Sequence, residues 1–275
     1  MSETDMQKEQ IAGLYDRAAA TYGTIGPDFF SYGGRQLVAH MALPAGARVL
    51  DVASGRGANL FPAAAAVGPG GQVIGIDLAA GMVEETTAEI TRRKLTQASM
   101  LQMDAEHLTF ADASFDAVLC SFAIFLFPHL EQALAEFWRV LRPGGKVGIT
   151  VARNLDELSH WYGAHLTAYH EHYRFPLTAG GGKGRDYEEL PRYLSEAGFS
   201  AAQTLAEEAD FIYASAEVWW DAKWTHGTRY SLEHMAPEVL AQFKAEVVAR
   251  LAQEAQAGGI HETLRFQYML ATKEA

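Results

Sequence analysis

The chain alternates short apolar runs with longer amphipathic segments from about residue 49 onward. Apolar runs of strand length lie at 49–52, 72–78, 100–103, 115–121 and 146–151. Segments with apolar residues three or four positions apart, as in helices, lie between them at 59–67, 81–94 and 129–141. Glycine and proline mark the junctions at 68–71 and 142–145. Strands that alternate with helices through short turns predict an α/β fold, in which helices cover both faces of a parallel sheet.

The segments outside this alternation are richer in aromatic and polar residues. Further helices are predicted at 6–22, 32–41, 187–197 and 237–256, and further strands at 209–214 and 264–272. Residues 152–186 and 216–235 break the pattern, and the first of these segments ends in a glycine run at 180–184 that predicts a mobile loop. We therefore divide the chain into an N-terminal helical cap at 1–44 and a main domain at 45–275 that carries these two insertions.

Composition limits the partners of the protein and the compartment in which it works. The 275 residues carry a net charge of −12, so the surface repels nucleic acid and anionic membranes, and neither is expected as a partner. A single cysteine, Cys120, excludes an intramolecular disulfide. No apolar run approaches the roughly 20 residues of a membrane span, and the polar N-terminus lacks the features of a signal peptide. We expect a cytoplasmic protein, and both a monomer and a homodimer stay open.

The first predicted strand runs directly into a loop of small residues. Asp51 is the acid of this otherwise apolar strand, and the loop contains Gly55 and Gly57 before helical sequence begins at Asn59. Backbone N–H groups at the start of a helix lack partners, and glycine allows a ligand to approach them closely. An ordinary strand-to-helix turn without a ligand is the alternative for this stretch alone.

Two further acids and two later landmarks extend the pattern. Asp77 ends the second strand and Asp104 follows the third. In this order, the features resemble the class I S-adenosylmethionine-dependent methyltransferases, most closely the small-molecule branch that includes the ubiquinone and menaquinone methyltransferases. The resemblance covers about residues 45–150 and rests on five motifs: Leu50-Asp-Val-Ala-Ser-Gly-Arg-Gly57, Val73-Ile-Gly-Ile-Asp77, Met103-Asp-Ala105, Phe115-Asp-Ala-Val-Leu-Cys-Ser121 and Leu141-Arg-Pro-Gly-Gly-Lys146.

The resemblance implies a Rossmann-like three-layer sandwich. Its sheet would have seven strands, mostly parallel, with an antiparallel last strand that the residues from Leu264 onward would form. Helical lid segments would complete the fold. The chain departs from the family at Ala53, where the first glycine of the loop is common; alanine is small enough that we expect cofactor binding to survive.

The resemblance also implies S-adenosyl-L-methionine as cofactor. Asp77 can accept hydrogen bonds from both ribose hydroxyls, and Asp104 can accept one from the adenine amine. Buried Asp51 needs partners and is expected to hold the loop and orient the amino group of the methionine part. The expected cofactor-binding residues are Tyr22, Asp51, Ala53, Ser54, Gly55, Gly57, Asp77, Leu78, Met82, Met103, Asp104, Ala105 and Ser121.

The reaction expected of such a site is methyl transfer by in-line displacement to an O, N or C atom of a small acceptor, aromatic or natural-product-like. Alignment of the reactants supplies much of the rate, so neither a metal nor a covalent nucleophile is expected. The acceptor's proton suggests a histidine base, and the candidates are His160, His165 and His170. The expected substrate-binding residues are Phe29, Tyr169, Tyr173, Trp220 and Trp224.

Two alternatives stay open. An NAD(P)-dependent oxidoreductase of Rossmann type fits the glycine loop and Asp77, but Leu60 stands where the dinucleotide fingerprint has glycine or alanine. The chain could also bind the cofactor without transferring a methyl group. Formation of S-adenosylhomocysteine with any acceptor would distinguish this second alternative from the methyltransferase.

Overall fold

The computed structural model describes residues 2–179 and 187–274, so the predicted glycine loop at 180–184 lies outside the described residues. The helices in these two ranges are α1 (Glu3–Ala18), α2 (Phe29–Met41), α3 (Leu60–Val67), α4 (Ala80–Arg93), α5 (Leu130–Val140), α6 (Glu157–Tyr173), α7 (Leu190–Glu196), α8 (Ala216–Ala222), α9 (Arg229–Glu233) and α10 (Pro237–Glu254). The strands are β1 (Arg48–Val52), β2 (Gln72–Asp77), β3 (Ala98–Gln102), β4 (Phe115–Ser121), β5 (Leu141–Asn154), β6 (Phe199–Tyr213) and β7 (Ile260–Lys273).

The strands form one sheet of seven, in the order β3-β2-β1-β4-β5-β7-β6. The first five strands along the chain pair in parallel. Strands β6 and β7 run antiparallel. Ser200, early in β6, donates to the carbonyl of Thr272, late in β7, whereas Asp210, late in β6, pairs with His261, early in β7. This confirms the predicted α/β sheet with its antiparallel last strand. The strand order reverses between β1 and β4, and open α/β sheets bind ligands outside the carboxyl ends of the strands at such a point.

Backbone contacts divide the chain into two compact units. The helical unit comprises the described parts of Met1–Phe29, Ala152–Lys183 and Glu207–Arg265. The sheet unit comprises the described parts of Phe30–Val151, Gly184–Ala206 and Phe266–Ala275. Almost all of α2, which the sequence places in the N-terminal cap, therefore belongs to the sheet unit.

The core of the sheet unit explains its uninterrupted apolar runs. Leu50, Val118 and Ile149, on three adjacent strands, have no exposed surface. Phe137 on α5 is equally buried in the same cluster. Parallel strands covered on both faces need apolar side chains on both, so they lack the alternation of half-exposed strands.

Several elements extend beyond their predicted bounds or stop short of them, and β6, β5 and α1 are examples. Strand β6 begins at Phe199, ten residues before the predicted start. The first part of the strand was missed because β6 is an edge strand, and its exposed residues 201–204 show no alternation of apolar and polar side chains. Strand β5 runs through the predicted turn at 142–145, and a register shift against β4 accommodates it. Helix α1 stops at Ala18, whereas the apolar spacing predicted helix to residue 22. Within the described ranges, no helix is long and apolar enough to cross a membrane.

Candidate functional site

A buried carboxylate lies beneath the loop that follows β1. Asp51 has no exposed surface, and its Oδ2 accepts a hydrogen bond of 2.6 Å from the Ser54 hydroxyl. Its Oδ1 accepts one of 2.9 Å from Nδ2 of Asn59. Burial raises the pKa of Asp51 to about 6, although both hydrogen bonds act in the opposite direction. The acid therefore joins the end of β1 to the loop and to the start of α3.

The loop backbone is left-handed at three positions. The φ angles are 51° at Ala53, 52° at Gly55 and 82° at Gly57. At Gly57 an added Cβ would lie 2.5 Å from the ring of Phe61, so only glycine fits there without a shift. At Ala53 the methyl group makes the left-handed backbone unfavourable by about 1 kcal/mol. This accounts physically for the glycine that is common at this position in the family named above.

The second acid fastens the loop to β2. The backbone N–H of Gly55 donates to Oδ2 of Asp77 over 2.8 Å, and that of Ala79 donates to Oδ1 over 3.0 Å. A carboxylate oxygen has two lone pairs, so each oxygen can accept a further hydrogen bond from a ligand. Asp77 can therefore hold the loop and accept from a pair of hydroxyls at the same time.

The third acid lies one strand further along the same edge of the sheet. Strands β2 and β3 pair in parallel, with Asp77 opposite Gln102, and Asp104 follows two residues later. Its Oδ1 accepts from the Glu106 backbone N–H over 2.9 Å, and its Oδ2 lies 3.1 Å from Nδ1 of His107. Three acids are thus placed at or near the carboxyl ends of β1, β2 and β3, beside a loop in which Arg56 is the one large side chain.

Two buried residues of this site were missed in the sequence. Asn59 also accepts a hydrogen bond of 2.8 Å from the Ser121 hydroxyl, so it links Asp51 to the end of β4. The hydroxyl of Thr86 on α4 donates to the carbonyl of Gly55 over 2.7 Å. Asn59 could have been recognised in the sequence, because it stands just before the alanine-rich helix α3. No local sequence feature distinguishes Thr86.

The other expected cofactor-binding residues divide between the two units. In the sheet unit, Met82 and Ala105 are buried, and Met103 packs against the core while its N–H donates to the carbonyl of Asp77. Leu78 lies between Asp77 and α4 and is partly exposed. Tyr22 lies in the helical unit. Taken together, the residues of the sheet unit fit a nucleoside that carries an amino-acid tail.

The three candidate bases lie on α6 but point in different directions. A spacing of five residues turns a helix by about 140°, so His160, His165 and His170 cannot converge on one point. The ring of His165 stacks on those of Trp161 and Phe243, with centroids 4.9 and 5.3 Å away. Nδ1 of His170 contacts a backbone carbonyl, that of Phe175, and His160 is exposed.

The expected substrate-binding residues differ in burial. Trp220 and Tyr169 are buried and pack against Phe243 in the core of the helical unit. Tyr173 is exposed, and Trp224 packs at the edge of that core. Trp220 and Tyr169 therefore serve as core residues of the helical unit. The spacing of aromatic residues along the sequence cannot distinguish such core positions from positions that bind a substrate.

Phe29 lies in a different environment, beside a histidine. Its ring is 6.1 Å from that of Phe211 and 6.4 Å from that of His226, edge-to-face in both cases. Burial and the nearby charge of Lys223 lower the pKa of His226, so this imidazole is neutral at physiological pH.

The helical unit contains a buried ion pair. Nζ of Lys223 is 3.0 Å from Oε1 of Glu262, and both side chains are less than a tenth exposed. Tyr213 and Asn154 also donate to this carboxylate, over 2.7 and 2.8 Å. Burial disfavours the ionised form of Glu262, but Lys223 and the hydrogen bonds outweigh it and lower the pKa. The cluster connects the ends of β5, β6 and β7 to the segment that follows α8.

A separate cleft of about 690 Å³ lies in the sheet unit, away from the acids. Its lining comes from residues 41–47, 116–117 and 142–146. These residues precede or begin β1, β4 and β5, at the amino ends of the strands. Because ligands of such sheets bind at the carboxyl ends, we place the functional site at the acids and not in this cleft.

Comparison with known proteins gives a consistent result. Residues 49–145 match a protein-family model described as a methyltransferase domain. The chain is 34% identical over 268 residues to nocamycin O-methyltransferase of Saccharothrix syringae, covering 93% of this chain and 96% of that protein. It is 43% identical over 143 residues to aklanonic acid methyltransferase DauC of Streptomyces sp. strain C5, covering 52% and 65%. The crystal structure of the YcgJ protein of Bacillus subtilis shares the fold, with a TM-score of 0.63, 19% identity, and coverage of 89% of this chain and 99% of that one.

Proposed function

We propose that this chain, which belongs to the class I S-adenosylmethionine-dependent methyltransferases, transfers a methyl group to an oxygen atom of a small, natural-product-like acceptor. The choice of oxygen is supported by the similarity to an O-methyltransferase over almost the whole chain. The natural-product character is supported by the nocamycin and aklanonic acid enzymes together. Because the chain belongs to the methyltransferase family, we set aside the alternative of an NAD(P)-dependent oxidoreductase.

The observation that carries the proposal is the attachment of the glycine loop to Asp77. The bond of 2.8 Å from the Gly55 N–H holds the loop against the carboxylate that would accept from a ribose diol. Asp104 would accept from the adenine amine, and Asp51, Ser54 and Asn59 would support the loop beside the methionine part. S-adenosylmethionine supplies a methyl group on a positively charged sulfur when it is bound, so the protein's task is to align that group with the acceptor.

The residue that takes the acceptor's proton is proposed to be one of His160, His165 and His170. Because their directions on α6 differ, only one of them can face a given acceptor atom. Replacement of each by glutamine, followed by kcat against pH, identifies it: the base variant loses rate most strongly below the acceptor's own pKa. An acidic acceptor oxygen, already ionised, would need none of them, and all three variants would then keep their rate.

Cofactor binding is tested first, by isothermal titration with S-adenosylhomocysteine. We expect binding by the wild type and a loss of at least about tenfold in Asp77→Asn, which removes a charged acceptor. Asp116→Asn is the matched control. Asp116 also binds a backbone N–H, that of Arg48 over 2.7 Å, but at the amino end of the sheet, so its replacement should leave the affinity unchanged. Absence of binding by the wild type would refute the proposed cofactor.

Methyl transfer is tested next, with S-adenosylmethionine and a panel of polyketide-derived acceptors that carry phenol, carboxyl or amine groups. We expect S-adenosylhomocysteine to form together with an O-methylated product identified by mass spectrometry and NMR. An N- or C-methylated product would refute the choice of oxygen and leave the methyltransferase activity standing. Cofactor binding without turnover of any acceptor would instead support a protein that binds the cofactor without transferring the methyl group.

A further inference from the structure

The carboxylate of Asp104 is held by a chain of hydrogen bonds that begins on α5. Oδ2 of Asp104 lies 3.1 Å from Nδ1 of His107. The other ring nitrogen of His107, Nε2, lies 3.0 Å from Nε2 of Gln132. The same amide nitrogen of Gln132 donates to the backbone carbonyl of Glu106 over 2.9 Å. Neither His107 nor Gln132 belongs to the residues that the sequence assigned to the cofactor.

The carbonyl of Glu106 determines the orientation of the Gln132 amide. A flipped amide would direct its oxygen at this carbonyl oxygen, and two acceptors facing each other repel. The amide nitrogen therefore faces both Glu106 and His107. It carries two hydrogens, one for each of these partners, so Nε2 of His107 must accept.

The tautomer of His107 follows from this orientation. A neutral imidazole has one donor and one acceptor nitrogen. Since Nε2 accepts from Gln132, the proton is on Nδ1, and Nδ1 donates to Oδ2 of Asp104. The Glu106 N–H occupies Oδ1 of the same carboxylate over 2.9 Å. Asp104 is thus oriented by a donor on each oxygen, and both of its oxygens act as acceptors.

We infer that His107 is a positioning residue for recognition of the adenine amine, and that Gln132 selects the tautomer that His107 needs for this role. The inference rests on the proposed function, in which Asp104 accepts from that amine. A carboxylate that can only accept, held in one orientation, favours a nucleobase with an amine at this position, because the amine can donate. It disfavours a nucleobase with a carbonyl there, because two acceptors repel. The His107 side chain is 66% exposed, so the effect on affinity is moderate.

The test compares two ligands by titration calorimetry: S-adenosylhomocysteine, and S-inosylhomocysteine, in which a carbonyl replaces the adenine amine. In His107→Ala we expect the first to bind about threefold to tenfold more weakly and the second to bind as before, so that discrimination between them narrows. His107→Asn should restore the wild-type ratio, because its amide nitrogen is as many bonds from the backbone as Nδ1. His40→Ala, an exposed histidine on α2, is the control.

Equal weakening of both ligands in His107→Ala would overturn the inference, because it would mean that His107 only supports the loop. Unchanged affinity for S-adenosylhomocysteine would overturn it as well, while leaving the proposed cofactor intact. If the wild type binds neither ligand, the proposed function fails together with the inference.

A second measurement needs no ligand. Nitrogen-15 NMR of the wild type should show His107 with its proton on Nδ1, the signal being assigned by its loss in His107→Asn. In Gln132→Leu part of the population should carry its proton on Nε2, because Nε2 no longer accepts from the amide, while Asp104 still favours the proton on Nδ1. A wild-type His107 that is protonated on Nε2 alone would refute the hydrogen-bond chain, whatever the cofactor.

Discussion

Asn59 donates a hydrogen bond of 2.9 Å from its Nδ2 to Oδ1 of Asp51, and both side chains are almost completely buried. The same asparagine accepts from Ser121, so one side chain joins the ends of β1 and β4 at the site where the strand order reverses. A buried carboxylate with few donors is strongly unfavourable, which makes Asn59 a structural requirement of the site.

Replacement of Asn59 by alanine should lower the free energy of unfolding by about 2 kcal/mol, because a buried charge loses a hydrogen bond. The affinity for S-adenosylhomocysteine should fall with it, since the end of β1 loses its attachment to the start of α3. Urea denaturation and titration calorimetry measure the two effects. Gln97→Ala is the control: its amide binds the Ala64 carbonyl over 3.1 Å, away from the loop, so only a small stability change is expected. Equal effects of the two variants on affinity would contradict the prediction.

Titration of Asp51 should appear in the pH dependence of stability. Its pKa of about 6 in the folded protein lies above the ordinary value of 3.8, so the folded chain takes up this proton at a higher pH than the unfolded chain does. The ionised form therefore costs stability above about pH 6, and the cost is relieved as the pH falls towards 4. Relative to Asp51→Asn, the wild type should gain on the order of 2 kcal/mol between about pH 7.5 and 4.5. Urea denaturation at a series of pH values gives the difference, and parallel curves would disprove it.

Ala53→Gly should stabilise the protein, because the left-handed backbone at this position favours glycine. The relief of strain exceeds the entropy that glycine adds to the unfolded chain, so we expect a gain of about 0.5 kcal/mol and a Tm higher by about 1–2 °C. Ala65→Gly, an exposed position in α3, should show the opposite sign. Thermal denaturation measures both variants, and a lower Tm in Ala53→Gly would be the contrary result.

Lys223→Met should destabilise the chain by about 3 kcal/mol, since it leaves Glu262 buried without its cation. The double variant Lys223→Met/Glu262→Gln should recover part of this loss, because the uncompensated charge is gone. Arg192→Met removes two exposed pairs, with Glu189 and Glu196, and should cause no measurable change. A double-mutant cycle by urea denaturation gives the coupling. A double variant no more stable than Lys223→Met would argue against an uncompensated charge as the cause.

Much of the sheet unit could be predicted because its signals are local. A buried parallel strand appears as an apolar run, its end as a glycine turn, and an acid at that end stands out against apolar neighbours. The α/β sheet and the membership in the methyltransferase family were therefore predicted and are confirmed. The assignment of individual residues to cofactor, base and acceptor stays a prediction. The start of β6 was missed because an exposed edge strand needs no apolar alternation.

By itself, the sequence determined which residues stand at the strand ends, because periodicity and turn chemistry act between neighbours in the chain. Only the tertiary structure decided what those residues touch. Asn59 meets Ser121 from 62 positions away, and His107 meets Gln132 from 25. It also showed that the ring of His165 stacks on those of Trp161 and Phe243, and the position of Phe243 on another helix cannot be read from spacing along α6. The physical reason is that hydrogen bonds and packing depend on distance in space, whereas the sequence gives directly only the separation of residues along the chain.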